Sequence, residues 1–404
     1  MKSDLKFDMR KSPIRFSDAD KTSFNEPKKL KHKAILSSAV IGLISITFNS
    51  GIVHAAKKSI SKAVAAPSVV LPPNHQLVLA CILPTLLGFY KSEYGVSYGY
   101  GTAIAATSYL VLSSMASAAG TPLLPSTITL STIIPSIQVF VTALASITAS
   151  LPAFHAASLF FYGTRLDLFL LYRELCLPRF RAMRERIEDR AKKQGSRWKR
   201  TPFIVSCAFL YYCMMCPILV TTKLCGSLTM SGFGGSVTLL EQGLRMFVGL
   251  TLSGFLLGAI GDLNKSLGKV INGDEALITG GVFRFFRHPN YTGEVIGWVS
   301  SCLAAFTAVA WKTSQGEGLT VWKSQAPYLF MSVLGAIGIS FVLSTATAGL
   351  EYRQKEKYGD TDEYKAWVKK SWVGFTMGQR KEASDVNQDN TEKEGTIEGE
   401  AEQE

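Results

Sequence analysis

The sequence predicts an all-α protein, a polytopic bundle of about eight membrane-spanning helices. Hydrophobic residues make up 47% of the 404 residues and charged residues only 18%, a balance that is unusual in soluble proteins. Apolar segments recur at close to the roughly 20 residues that a helix needs to cross a bilayer. Strict strand alternation is absent, and a helix satisfies its backbone amides within its own segment, as hydrocarbon requires.

The predicted spans follow one another after a proline-rich linker. They lie at about residues 76–92, 99–119, 125–150, 153–172, 202–223, 237–260, 289–311 and 325–349. The linker covers 57–75, and the membrane domain is expected to cover 76–378, with its functional C-terminal part at 237–378.

Both ends of the chain are predicted to lie outside this domain. Residues 1–33 and 379–404 are polar and lack the apolar periodicity of a folded core, so we expect disorder there. Residues 34–56 form an apolar segment between lysines, interrupted by Asn49, Ser50 and Gly51. This segment is either a targeting sequence or a ninth helix.

The charge distribution predicts a topology. The net charge is +12, but the basic residues cluster between apolar segments, which favours positive-inside topology over nucleic-acid binding. The loop at 173–201 is the most basic and is expected to face the cytosol. Counting eight crossings places the linker, the loop at 261–288 and the C-terminus on that same face. An endoplasmic reticulum or other organelle membrane is the expected location.

The cysteines and the remaining residue pattern exclude other classes. Seven cysteines are scattered, mostly inside apolar segments, which argues against a disulfide framework. Cys213 and Cys216 form an isolated CxxC within "FLYYCMMCPILV", where packing is favoured over a metal or redox role. No metal site is predicted.

The segment "GGVFRFFRHPNYTGEVIGW" (280–298) places polar residues at the edge of an apolar segment. Arginine and tryptophan commonly anchor a helix at the bilayer surface, and Arg284, Arg287 and Trp298 fit that interpretation. Glu294 does not, because it is expected one turn inside the membrane, where a charge is costly unless it is paired or hydrated. It is either functional or part of a structural ion pair.

Two further polar clusters are predicted at the same rim. One is "GDLNKSLGK", with Asp262, Lys265 and Lys269; the other is the C-terminal element 349–375. On pattern alone the C-terminal element is typical of an interfacial helix. Because cationic groups near a helix N-terminus bind phosphates through charge and N–H donors, the convergence predicts a site for a phosphate-bearing ligand.

These residues also carry a family resemblance. "GGVFRFFRHPNYTGE", followed by "EYRQKEKYG" and "EYKAWVKK", resembles the C-terminal domain of 3-oxo-5-alpha-steroid 4-dehydrogenases, in particular relatives of unassigned substrate that share an RHPNYxGE signature. "FHAASLFFYGTRLDLFLLYRE" (154–174) is also similar to those relatives. The resemblance covers roughly residues 75–378.

The resemblance implies a membrane-embedded reductase that uses NADPH to reduce a carbon-carbon double bond conjugated to a carbonyl in a steroid- or lipid-like substrate. It assigns Asn290 and Glu294 to the nicotinamide pocket, and Asp262 with Lys265 or Lys269 to the adenosine-phosphate half. Tyr291 and His288 are candidate proton donors beside a catalytic Glu294. The full set of expected cofactor-binding residues is Asp262, Lys265, Lys269, Arg284, Arg287, His288, Asn290, Glu294, Glu351, Arg353, Tyr358 and Tyr364.

Two alternatives stay open. Isoprenylcysteine carboxyl methyltransferases share a related RHPxYxG turn and use S-adenosylmethionine, and Glu351 would suit that class; the acid in "YTGE" favours the reductase. A non-enzymatic lipid-binding protein is the other alternative.

Overall fold

The computed structural model describes residues 71–120, 123, 144, 148–193, 195–231, 237–273, 275–374 and 376–377. All of them belong to one of the two units into which the chain divides, Ser59–Glu404. The predictions for 1–33, 34–56, 379–404, most of the linker and most of 125–150 lie outside these residues. Within the described part the prediction of an all-α fold is confirmed, since the only strands there form a two-stranded hairpin.

The elements are numbered here in chain order. The helices are α1 (Asn74–Thr85), α2 (Leu87–Tyr90), α3 (Tyr98–Ala118), α4 (Leu151–Cys176), α5 (Pro178–Lys193), α6 (Thr201–Leu224), α7 (Leu239–Asn272), α8 (Pro289–Lys312), α9 (Thr320–Tyr358) and α10 (Asp362–Lys370). The hairpin pairs β1 (Trp372–Val373) with β2 (Thr376–Met377) in antiparallel register.

Among the described residues, four helical stretches are long and apolar enough to cross a membrane. They are Arg197–Leu224, Leu239–Asn272, Pro289–Glu317 and Thr320–Tyr358, while Asn74–Tyr90 is a shorter apolar stretch. The last of the four carries large apolar side chains on its outer surface, including Phe330, Ile337 and Phe341, as expected for contact with lipid. The protein is therefore an integral membrane protein by its helices, but a count of eight spans is not confirmed.

Close packing of α7 against α8 fixes the position of the candidate site. A Cβ atom on Gly293 would lie 2.4 Å from the carbonyl oxygen of Gly254, and one on Gly254 would lie 2.5 Å from the amide nitrogen of Gly297. Only glycine allows two helix backbones to approach this closely, a common device between membrane helices. The contact holds the middle of α7 and the start of α8 in fixed register.

Helices α3 and α4 run antiparallel. The Thr102 hydroxyl donates to Oδ2 of Asp167 over 2.7 Å, and the rings of Tyr109 and Phe160 are 6.3 Å apart. Residues later in α3 thus contact residues earlier in α4, which is the pattern of an antiparallel pair. The end of α3 and the start of α4 therefore lie at the same end of this helix pair.

The end of the linker also departs from the predicted topology. Helix α5 and the start of α6 define what we call the basic end of the bundle, where Nη2 of Arg200 pairs with Oε1 of Glu188 at 3.0 Å. Leu71 instead lines a cavity with Lys223 at the far end of α6. The prediction that the linker shares the basic end is therefore wrong at its last residues, because three described helical passages, not four, separate them from the basic loop.

Candidate functional site

A chain of hydroxyl groups leads to Glu294. This glutamate lies in the second turn of α8 and is 6% exposed. The Tyr162 hydroxyl lies 2.7 Å from its Oε2 and 2.9 Å from the hydroxyl of Tyr100. Each phenol has a single proton to donate, so when Tyr162 donates to Glu294, Tyr100 is the donor to Tyr162. The result is a directional, buried hydrogen-bond chain that joins α3, α4 and α8.

An ion pair lies beside this chain. Nη1 of Arg165 is 2.5 Å from Oδ2 of Asp262, and the guanidinium carbon of Arg165 is 5.5 Å from the centre of the Tyr162 ring. Arg165 also attracts the charge of Glu294. Nε and Nη2 of Arg165 are buried and find no hydrogen-bond partner among the described residues. Unpaired buried donors are rare and commonly mark a place for a water molecule or a ligand.

The first turn of α8 borders this pair through its backbone. A Cβ atom on Gly261 would lie 2.9 Å from the amide nitrogen of Asn290, and one on Gly258 would lie 3.2 Å from its carbonyl oxygen. Asn290 and Tyr291 are half-buried. The structure thus brings the predicted residues Asp262, Asn290 and Glu294 to one region.

The arginine and histidine before α8 are engaged elsewhere. Arg287 is 1% exposed; its Nε lies 3.1 Å from the Glu351 carboxylate, and its Nη1 donates to the carbonyl oxygens of Val368 and Ser371 at 3.1 and 3.3 Å. Nε2 of His288 is 2.6 Å from Oε1 of Glu351. Burial lowers the pKa of His288, although Glu351 acts to raise it. We call Arg287, His288 and Glu351 the closed cluster, because its members bind one another and the C-terminal element.

The predicted tyrosines support the C-terminal element. Tyr364 is buried in a small core with Phe283, Trp367 and Val368. The Tyr358 hydroxyl donates to the carbonyl oxygen of Glu275 at 2.7 Å. Both contacts bind the C-terminal element to the α7–α8 loop, at a distance from Glu294.

The remaining predicted residues lie around the rim. Nζ of Lys269 donates to the carbonyl oxygen of Ala276 at 2.6 Å, and Lys265 lies near enough to Asp262 for their charges to attract. Arg284 and Arg353 are exposed. Of these cations, Lys265 is therefore the one placed beside the Asp262 pair.

Sequence reasoning missed Tyr100, Tyr162 and Arg165. A signal was present for Arg165, because an arginine inside an apolar segment is costly and commonly marks a functional site. Tyr162 lies three residues earlier, so both side chains occupy one face of α4. Tyr100 gave no signal, since its role depends on the packing of α3 against α4.

Comparison with known proteins adds the family. Residues 129–371 match the family described as "Protein of unknown function (DUF1295)". The match covers more than half of the chain. The chain belongs to this family. No curated protein and no solved structure matches it. The DUF1295 region contains helices α4 to α10, and hence all of the candidate site apart from Tyr100.

Proposed function

We propose that this protein is a membrane-embedded reductase that uses NADPH to reduce a carbon-carbon double bond conjugated to a carbonyl in a steroid- or lipid-like substrate. The carrying observation is the buried Tyr100–Tyr162–Glu294 chain beside an arginine with unpaired donors. The RHPNYxGE signature and membership in DUF1295, a group similar to steroid 5-alpha-reductases, support the same reaction class.

The residues fit the chemistry that such a reduction needs. When bound, NADPH would supply a hydride to the β-carbon. As the hydride adds, the carbonyl oxygen must receive a hydrogen bond that stabilises the enolate, and a proton must then reach the α-carbon, directly or through the enol. We assign the donor role to Tyr162 rather than to the predicted Tyr291 or His288. The Tyr162 proton is directed at Glu294 in the chain, and when it moves to the substrate the Tyr100 hydroxyl can replace it, whereas no such relay reaches His288, whose Nε2 is held by Glu351. Burial of the chain also keeps water away from the reacting atoms.

Anionic parts of the cofactor have donors nearby. Nε and Nη2 of Arg165 are unpaired among the described residues, and Lys265 stands beside Asp262. The N-terminus of α8 adds the partial positive charge of a helix dipole. Arg287 is withdrawn from this role by its bonds to Glu351 and to two carbonyl oxygens.

The methyltransferase alternative was based on the RHPxYxG turn and on Glu351. In the closed cluster this carboxylate accepts from Arg287 and His288, so its hydrogen-bonding capacity is largely used. That arrangement favours the reductase. Comparing the binding of NADPH and S-adenosylmethionine to the same protein distinguishes the two alternatives.

The test uses the full chain purified in detergent. We expect NADPH fluorescence to shift on binding. A 3-oxo-Δ4 steroid is the first enone substrate to test. Tight binding of S-adenosylmethionine without any NADPH response would reverse the assignment and support the methyltransferase.

Tyr162→Phe tests the proton donor. Phenylalanine keeps the ring packed against Phe255 and Trp298 but removes the hydroxyl, so NADPH binding should persist while enone reduction falls by about 100-fold, the range of a lost general acid. Tyr109→Phe is the matched control, because Tyr109 packs against Phe160 and is not part of the Tyr100–Tyr162–Glu294 hydrogen-bond chain. Equal activities of the two variants would exclude Tyr162 as the donor.

A further inference from the structure

A cavity lies at the end of the bundle opposite to the basic end. Its volume is about 420 Å³, within the range of small-molecule sites. The start of α1, the end of α6 and the start of α9 enclose it. Its apolar wall includes Leu71, Pro72 and Leu219, and its polar wall includes Lys223, Gln325 and Tyr328.

Gln325 contributes a buried, unpaired hydrogen-bond acceptor to the wall of this cavity. It is 1% exposed, and its Oε1 is buried without a partner among the described residues. Its Nε2 donates to the Ser324 hydroxyl at 3.0 Å. That hydroxyl donates in turn to the carbonyl oxygen of Val321 at 3.0 Å, so it has no proton left for Gln325. Oε1 can therefore accept a hydrogen bond from a water molecule or a ligand in the cavity, and such a bond is favoured because an unsatisfied buried acceptor costs about 1–3 kcal/mol.

Positive charge borders the same cavity. Lys223 is exposed near the end of α6 and lines the cavity wall. Helix α1 begins at Asn74, another lining residue, after Pro73, which provides no side-chain cap. The first amides of an uncapped helix carry partial positive charge. An anion would be favoured between the lysine and this helix end.

We propose that the cavity binds a single-chain phospholipid whose headgroup carries a phosphate and a free hydroxyl. The phosphate pairs with Lys223 and the first turn of α1, and the hydroxyl donates to Oε1 of Gln325. The acyl chain leaves along the apolar wall. Both α6 and α9 are membrane-crossing helices by length and composition, so their ends lie at the bilayer surface, where lipid headgroups reside.

The binding test uses the full chain in detergent with 1-oleoyl-lysophosphatidic acid as the probe, followed by native mass spectrometry. Glycerol 3-phosphate has the same headgroup without a chain, and monooleoylglycerol has the chain and hydroxyls without phosphate. We expect both to bind at least about tenfold more weakly, because each loses one of the two recognised parts. If glycerol 3-phosphate bound as tightly as lysophosphatidic acid, the ligand would not be a lipid. If monooleoylglycerol bound as tightly, the cavity would not recognise the phosphate.

Two variants test the residues. Gln325→Leu removes the acceptor at similar volume, and Lys223→Gln removes the charge at an exposed position that folding does not require. Each should weaken lysophosphatidic acid binding by about tenfold, the effect of one hydrogen bond to a charged or buried group. Lys323→Gln is the matched control, since Lys323 is an exposed lysine on α9 that lines a different, apolar groove.

The controls separate a built site from general attraction. Lys323→Gln should change the affinity by less than about twofold. An equal loss in Lys223→Gln and Lys323→Gln would mean unspecific attraction between lysines and phosphates, and would overturn the proposal. Unchanged affinity in Gln325→Leu would do the same. Glu294→Gln should leave this binding intact, which keeps the result independent of the reductase assignment.

Discussion

The closed cluster and the Tyr100–Tyr162–Glu294 chain are both buried and polar, yet they differ in how completely their donors are used. In the closed cluster, Arg287 donates to Glu351 and to two backbone carbonyls. Beside the chain, two nitrogens of Arg165 remain without partners among the described residues. A satisfied network is typical of structural support, and an unsatisfied one is typical of a site that awaits a ligand. In our proposal, the signature RHPNYTGE therefore combines a structural half, Arg287 and His288, with a functional half that contains Glu294.

The largest expected effect comes from breaking the closed cluster. Arg287→Ala leaves the Glu351 carboxylate without its arginine and removes the donors to the C-terminal element. Breaking a buried ion pair by removing one partner costs about 3 to 5 kcal/mol. The melting temperature of the variant in detergent should therefore fall well below that of the unsubstituted protein.

Arg284→Gln is the control for this variant. Arg284 is an exposed arginine three residues earlier, and exposed substitutions usually change the free energy of unfolding by less than about 0.5 kcal/mol. If Arg287→Ala melted at the same temperature as Arg284→Gln but lost NADPH binding, Arg287 would belong to the cofactor site, and the division into two halves would fail.

A smaller and different effect is expected at the functional half, at Glu294. Glu294→Gln keeps an acceptor for the Tyr162 hydroxyl but removes the carboxylate that the family resemblance assigns to the nicotinamide pocket. We expect NADPH binding to weaken by about tenfold, equivalent to about 1.4 kcal/mol, with little change in melting temperature. Glu356→Gln, at an exposed glutamate of α9, should leave the affinity unchanged. Equal affinities of the two variants would remove Glu294 from the site.

The sequence predicted the helical fold and the rim, since both depend on local patterns. Segment lengths predict helices, and a glutamate after an apolar start predicts a buried acid. The role of Arg287 could not be predicted, because its partners Glu351 and Val368 come 64 and 81 residues later and their contact depends on tertiary packing. The hydroxyl chain was hidden for the same reason: phenols in apolar segments become a network only when three helices meet. The topology was mispredicted at the last residues of the linker, because a count of crossings carries any error in the number of spans through every later step.

The smallest expected effect is a pH dependence at the closed cluster. Burial lowers the pKa of His288 below its ordinary value near 6.5, in spite of Glu351. The unfolded chain therefore binds a proton at a higher pH than the folded one does. The stabilisation is fully present above pH 6.5 and is lost as the pH falls towards the folded pKa, because only the unfolded state takes up the proton there.

The melting temperature should consequently fall between pH 7 and about pH 5, and less so in His288→Asn, where asparagine can still donate to Glu351 but does not titrate. His75→Asn is the control, since His75 is exposed at the opposite end of the bundle. If His288→Asn kept the full pH dependence, the acid sensitivity would arise outside the closed cluster. If it lost the NADPH response while melting normally, His288 would act on the ligand, and the structural half of the signature would be reduced to Arg287.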